Sequence, residues 1–463
     1  MVRAMSEEYA NDLQNLVNLF GVDVEVEHRQ EDDGFGVSDE FSIKADNFEE
    51  TFSQSYNLDE KDPLKRKSVK KHRAKRALYD KLSKRFGITL PWGCLTGVRP
   101  TKLARELVEN GQVKEFLVPE VLEKDYCVSR DKAKLVSMIL KNQKCIIRND
   151  KLVDLYINIP VCPTRCLYCS FISSEIGAVK GQIDNYLECL VRELEAVKQV
   201  IKDKTYMVRT IYIGGGTPSV LSADQLDFLL SALNFPVDEF TVECGRPDTI
   251  TEDKLAVLKK HRVTRISVNP QTFCEATLKR IGRPHKNAQV LKAYQMALEK
   301  GFVVNMDIIA GLPGEKFGIF KRTIATLLDL YPENITVHTL SVKNGALLKN
   351  SGTVLSEKDI AKMVDYAEKT LIERGYKPYY LYRQKNQLGG LENVGYFRDD
   401  HVCIFNIDSM EETASVIACG AGAMSKRVFN MENRIEREAN PKFLADYIAR
   451  IDEIIAKKKD FFA

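Results

Sequence analysis

The chain has 463 residues, 68 Lys and Arg against 65 Asp and Glu, a net charge of +3, 44% hydrophobic and 29% charged side chains. That length suggests about three domains and ample core. The composition excludes collagen-like and low-complexity classes, and near-neutrality gives no electrostatic argument for nucleic acid. Eleven cysteines, odd in number and mostly scattered, do not read as a disulfide framework. The first twenty residues carry acids and no apolar signal core, and nothing reaches the roughly 18 apolar residues of a membrane span. The expected setting is a reducing cytoplasm, where clustered cysteines point to metal or catalysis and scattered ones to small buried hydrophobes.

Residues 1–150 form an N-terminal α+β accessory domain of mixed short elements. Between Lys61 and Arg85 twelve Lys and Arg face two acids, Asp62 and Asp80, with few breakers before Gly87. This predicts a helix with a basic face, either an anion site for a polycarboxylate or RNA backbone, or a solvated surface; charge patterning favours the latter. The run Leu90 to Ala104 follows, with turns at Gly93, Gly97 and Pro100 and the single tryptophan, Trp92, as a packing anchor.

Residues 151–345 change rhythm. Strands are predicted at 154–160, 209–215, 239–245, 265–271, 303–311 and 334–340, separated by helices at 182–201, 223–233, 251–261, 286–300 and 317–330. Six βα repeats imply a parallel sheet with right-handed crossovers, doubly wound or barrel-like, with ligands at the carboxyl ends of the strands. Residues 346–463 begin with a helix stopped by Gly375, continue in strand-like pieces and close in a charged helix, a smaller C-terminal α+β lid or substrate domain.

Directly after the first of the six strands stands Cys162-x-x-x-Cys166-x-x-Cys169. Three thiolates in eight residues can meet one metal centre. Three are too few for a closed four-ligand zinc site, and no histidine lies nearby; a [4Fe–4S] cluster with one iron left open fits better. The second strand ends in Gly214-Gly215-Gly216-Thr217-Pro218, where consecutive glycines let backbone approach a ligand.

The CxxxCxxC spacing, with Tyr168 before Cys169, resembles the radical S-adenosylmethionine (SAM) superfamily, and the form GGGTP resembles its branch of oxygen-independent coproporphyrinogen III oxidases. The resemblance implies a partial (β/α)6 TIM-type barrel and an open iron chelated by SAM. It also implies a 5′-deoxyadenosyl radical that takes hydrogen from substrate, chemistry carried by the cofactor and positioned by protein. Cys162, Cys166 and Cys169 would then be the metal ligands. Further positions match in order. Tyr156 corresponds to a tyrosine beside the SAM sulfonium and cluster, and Gly215, Gly216 and Thr217 to the loop at the SAM amino group. Glu243 and Asp307 correspond to ribose ligands, Gln271 to a glutamine of the same site, Arg283 to an arginine near the SAM carboxylate, and Gly422 and Ala423, after Gly420, to a late GxGA turn.

Departures narrow the match. Phe171 stands where the best-studied oxidases have a fourth cysteine, Glu243-Cys244-Gly245-Arg246-Pro247 replaces an ExNP segment, and Tyr380 to Tyr396 replaces YEISNFA. With the additional first 150 residues, these resemble the HemZ-type coproporphyrinogen dehydrogenases. That resemblance implies oxidative decarboxylation of two propionates of coproporphyrinogen III, giving the vinyl groups of protoporphyrinogen IX without oxygen. It also implies a low-potential electron donor such as flavodoxin or ferredoxin. Arg246 and Arg383, then Lys385 and the basic segment 61–85, are the candidate partners of the propionates. Tyr380 and the segment 392–396 are candidate aromatic walls. Haem delivery, as in HemW-type relatives, and radical haem breakdown with methyl transfer are the alternatives; nucleic acid ranks last.

Overall fold

The computed structural model describes residues 2–4, 7–97, 99–169, 174–341, 356–384, 388–430, 432 and 434–462. Phe171 and Lys385 lie outside the described residues. Two compact units emerge. One holds the chain up to Met138 together with Arg383, Gln384 and Gly389–Leu391; the other holds the remainder.

The first unit contains a four-stranded sheet. β1 (Val2–Ala4) runs parallel to β2 (Glu25–Asp32), which continues as antiparallel hairpins into β3 (Gly36–Ala45) and β4 (Phe48–Asn57). The basic stretch is a helix, Pro63–Phe86. Asp62 caps it by accepting from Leu64 and Lys65 N–H at 2.8 and 3.1 Å, proline occupies the first turn, and Gly87 ends it at φ +64°. Ala74, Leu78, Tyr79 and Leu82 on this helix are buried with Leu13, Leu16, Phe20, Phe41 and Ile43. Its cations are largely matched at home: Arg66 and Lys70 on Asp32, Lys71 on Asp12, Lys81 on Glu50, and Arg73 over the Tyr56 ring. The basic face is thus mostly a solvated, ion-paired surface of its own unit.

The second unit is built on one eleven-stranded sheet. The six expected strands form β5 (Leu152–Ile159), β8 (Met207–Gly215), β9 (Glu239–Val242), β10 (Arg265–Ser267), β11 (Val303–Ala310) and β12 (Asn334–Thr339), each parallel to the next. Between them run helices Ile183–Asp203, Ala223–Ser231, Glu252–Lys260, Asn287–Glu299 and Phe317–Leu330, close to the predicted spans. A two-stranded piece, β6 (Val161–Cys162) with β7 (Ser174–Glu175), follows β5.

The C-terminal residues do not form the separate domain expected from 346 onward. β13 (Lys377–Tyr382) and β14 (Asn393–Phe397) extend the sheet antiparallel beyond β12. β15 (Ser415–Cys419) lies parallel to β5 on the other side, followed by β16 (Met424–Phe429) and β17 (Arg434–Ala439). Two sheet edges otherwise left unpaired are the physical reason. The start of the sheet is plugged by buried charge: Arg209 on Asp408 at 2.7 Å, Thr210 on Asp154 at 2.6 Å and Arg265 on Glu239 at 3.2 Å. The carboxyl ends are left for the site. Among the described residues no helix is long and apolar enough to cross a membrane.

Candidate functional site

The loop after β5 carries the three cysteines. Cys169 N–H donates to Cys166 O at 3.1 Å, closing a turn, and Leu167 N–H donates to Ile281 O at 3.0 Å. Cys162, Cys166 and Cys169 form no disulfide and are half-buried, unlike Cys189, Cys244, Cys403 and Cys419, which are buried. Two arginines brace this loop. Arg246 donates to both oxygens of Asp248, at 2.9 and 2.8 Å, and to Thr164 Oγ1 at 2.9 Å. Arg283 donates to Tyr168 Oη at 3.1 Å and to the carbonyls of Gly245 and Asn269 at 2.6 and 2.9 Å.

The glycine loop after β8 lies against the end of β5, with Gly216 N–H on Ile159 O and Thr217 N–H on Val161 O, both at 2.8 Å. A Cβ at Gly216 would stand 2.4 Å from Val161 O, and one at Gly215, where φ is +105°, 2.0 Å from Asn158 Oδ1. These glycines are therefore demanded by close approach. The Thr217 hydroxyl reaches Cys162 Sγ at 3.5 Å, joining the two loops.

Between the strand ends stands an aromatic and acidic group. Tyr212 stacks on Phe405 at 4.3 Å, with Tyr156 5.9 Å from Phe405, and Tyr156 Oη donates to Asn158 Oδ1 at 3.1 Å. Tyr212 Oη donates to Glu243 Oε1. Burial pushes the Glu243 carboxyl up to about 7, against the opposing pull of the Tyr212 hydroxyl. Asp307 is half-buried; desolvation raises its carboxyl, but His338 and the Asn305 amide outweigh that cost and hold it below the usual range. Asn269 and Asn305 donate to it at 2.6 and 2.7 Å.

Gln271 sits at φ +64°, clamped by its N–H on Asp307 O at 2.9 Å and by Ile309 N–H on its own carbonyl at 3.0 Å. A left-handed non-glycine residue costs about 1–2 kcal/mol, so this backbone is held by its neighbours. Gly420, Gly422 and Ala423 turn after β15. Gly420 packs on Asn158, where a Cβ would be 2.5 Å from the carbonyl. Gly422 N–H binds Pro441 O at 2.7 Å, and Ala423 N–H binds Gly420 O at 3.2 Å.

Comparison with known proteins agrees with this geometry. The pattern of the Radical SAM superfamily matches residues 156–327. The oxygen-independent coproporphyrinogen-III oxidase-like protein HemZ of Bacillus subtilis is 37% identical over 474 residues, covering 96% of this chain and 94% of that one. The chain belongs to the HemZ-type family of the radical SAM superfamily. The haem chaperone HemW of Lactococcus lactis is 34% identical over 235 residues, covering 48% of this chain and 60% of its own. Among solved structures, coproporphyrinogen III oxidase HemN of Escherichia coli aligns with TM-score 0.54 at 22% identity, over 70% of this chain and 73% of that one, a likeness of fold.

A radical SAM protein uses a [4Fe–4S] cluster and SAM. The donor set of this HemZ-type chain fits both: three thiols outside any disulfide within eight residues, and a glycine loop with no room for side chains. The structure does not bring the three sulfurs to ion-holding distance; among the described residues no three His, Cys, Asp or Glu side chains stand so close. Thiols have no attraction for one another, and backbone bonds set this loop, so convergence is left to ligation.

The two candidate substrate arginines are buried and engaged by protein groups. Arg246 is 3% exposed and its guanidinium is engaged by Asp248 and Thr164. Arg383, in the first unit, is 7% exposed, donates to the Leu95 and Gly390 carbonyls and lies 5.4 Å over the Trp92 ring. Both arginines brace loops, which satisfies their donors inside the protein. Tyr380 is likewise a core residue, with its hydroxyl 3.3 Å from Thr336 Oγ1 and its ring filling the place of a Gly395 side chain. β14, which carries 393–396, is buried throughout. Cys244 is buried and its thiol is pushed up to about 12 by that burial, which makes it a packing residue. Sequence reasoning missed Asn158, which meets Tyr156, Gly215 and Gly420 together. Its signal was the period of two: it shares the face of Tyr156 on β5.

Proposed function

We propose that this chain is an oxygen-independent coproporphyrinogen III dehydrogenase, converting two propionates to vinyl groups, each losing a hydrogen atom, CO2 and one electron that passes to an electron acceptor. The observation that carries the reading is the 37% identity to HemZ across 96% of the chain. Cys162, Cys166 and Cys169 would hold the cluster. The backbone of Gly215, Gly216 and Thr217 would face the SAM amino group, Glu243 and Asp307 its ribose hydroxyls, and Tyr156, Gln271, Gly422 and Ala423 would line the same site. When bound, cluster and SAM supply one-electron abstraction of a propionate β-hydrogen.

The protein's part is positioning. Arg246 and Arg283 fix the cysteine loop, Tyr212 orients Glu243, and the asparagines at Asp307 keep an ionised acceptor in place. A low-potential donor such as flavodoxin or ferredoxin is the partner this chemistry asks for, in the cytoplasm.

Haem delivery is the second reading, favoured by the HemW relatives, although these match only about half of the chain. Anaerobic reconstitution with iron and sulfide, followed by SAM, reductant and either coproporphyrinogen III or haem, separates the two. Vinyl product with CO2 is expected. Haem retained stoichiometrically without turnover of either compound would replace the dehydrogenase reading with the chaperone one.

A further inference from the structure

With Arg246 and Arg383 engaged by protein partners, another group must meet the acid side chains of a tetrapyrrole. His338 is placed to do so. It sits near the carboxyl end of β12, the last of the six parallel strands, and its side chain is 26% exposed. Nε2 lies 3.6 Å from Asp307 Oδ2, within ion-pair range but too long for a hydrogen bond. Nδ1 lies 3.4 Å from Tyr382 Oη, and the two rings meet edge to face with centroids 6.5 Å apart. Tyr382 in turn stacks on Tyr380, their planes 5° apart.

The strand carrying His338 is fixed just beyond it. Thr339 N–H donates to Asn393 Oδ1 at 2.9 Å, Thr339 Oγ1 donates to Glu392 O at 2.7 Å, and Leu340 N–H donates to Ala310 O at 2.9 Å. The imidazole therefore stands on a rigid element at the junction between the acids Glu243 and Asp307 and a tyrosine surface.

We propose that His338 is a substrate-positioning residue that receives one carboxylate of a tetrapyrrole acid; the proposal rests on the tetrapyrrole reading above. The ring stands beside Asp307 at the strand end, and in its protonated form it can offer an incoming carboxylate a charge-assisted hydrogen bond, the stronger kind. Tyr382 sets the ring plane from the other edge.

The test uses the full chain, anaerobically reconstituted, with coproporphyrin III and its tetramethyl ester as fluorescent probes and SAM affinity read in parallel. The unaltered chain should bind the acid at least tenfold more tightly than the ester. His338→Leu should lose that preference while its SAM affinity stays within about twofold, and His338→Lys, which keeps a cation, should recover most of it. Full acid-over-ester preference in a folded His338→Leu would overturn the proposal. So would loss of SAM affinity with the preference intact, which would make His338 a support of Asp307 alone. If the unaltered chain binds neither probe nor haem, the tetrapyrrole reading itself falls, and this proposal with it.

Discussion

The loops after β5 and β8 lie on neighbouring strands and touch through Thr217 and Cys162, yet they are built in opposite ways. The glycine loop is shaped by exclusion: at Gly214, Gly215 and Gly216 a Cβ would stand 2.8 Å or less from another atom. The cysteine loop is shaped by bracing, with half-buried thiols and with Arg246 and Arg283 reaching in from 82 and 115 residues away along the chain. One loop is rigid because nothing else fits there. The other is held by side chains that reach in from distant loops.

Thermal stability of the ligand-free chain can break or sharpen this contrast. The largest loss is expected for Gly216→Ala, where the new methyl meets the Val161 backbone; about 3 kcal/mol of overpacking should appear as a depressed Tm. Arg283→Ala should cost slightly less, about 2–3 kcal/mol, by orphaning two carbonyls and the Tyr168 hydroxyl. It should also lower iron uptake on reconstitution, whereas Arg283→Lys should restore the stability only in part.

Glu243→Gln tests the acid behind the glycine loop. Its carboxyl is raised from the ordinary 4.5 to about 7, so its contribution is whole below about pH 4.5 and is lost as pH rises through 7. The fall in stability between pH 5 and pH 8 should therefore shrink by about 1–2 kcal/mol in the variant. Cys166→Ser should leave the Tm nearly unchanged, yet abolish the visible absorbance of the reconstituted cluster and SAM cleavage. A large Tm loss in that variant would mean that the thiol is a packing group and that the contrast is false.

The parts legible in the sequence are those whose cause is local. Six apolar runs spaced by amphipathic helices announced the parallel sheet, and three cysteines or three glycines after a strand announced the loops. What stayed hidden depends on partners far away. Arg246 and Arg383 look in sequence like substrate-binding arginines, because only the fold reveals that Asp248 and Thr164, and the Leu95 and Gly390 carbonyls, already engage their guanidinium groups. The residues of β13 to β17 read as an appendage for the same reason. Short strands of this kind state that they pair, but not with which edge.

The pairing of β15 with β5 sets an order of events in synthesis. Tyr156 lies opposite Ala418 in that register, so one side of the strand leading into the cysteine loop has no neighbour until the chain beyond Cys419 has left the ribosome. Until then the nascent protein presents an open, apolar β edge beside three reduced thiols, the kind of edge that invites association with other chains. A nascent chain halted before β15 should be markedly more prone to aggregation and oxidation than the finished one.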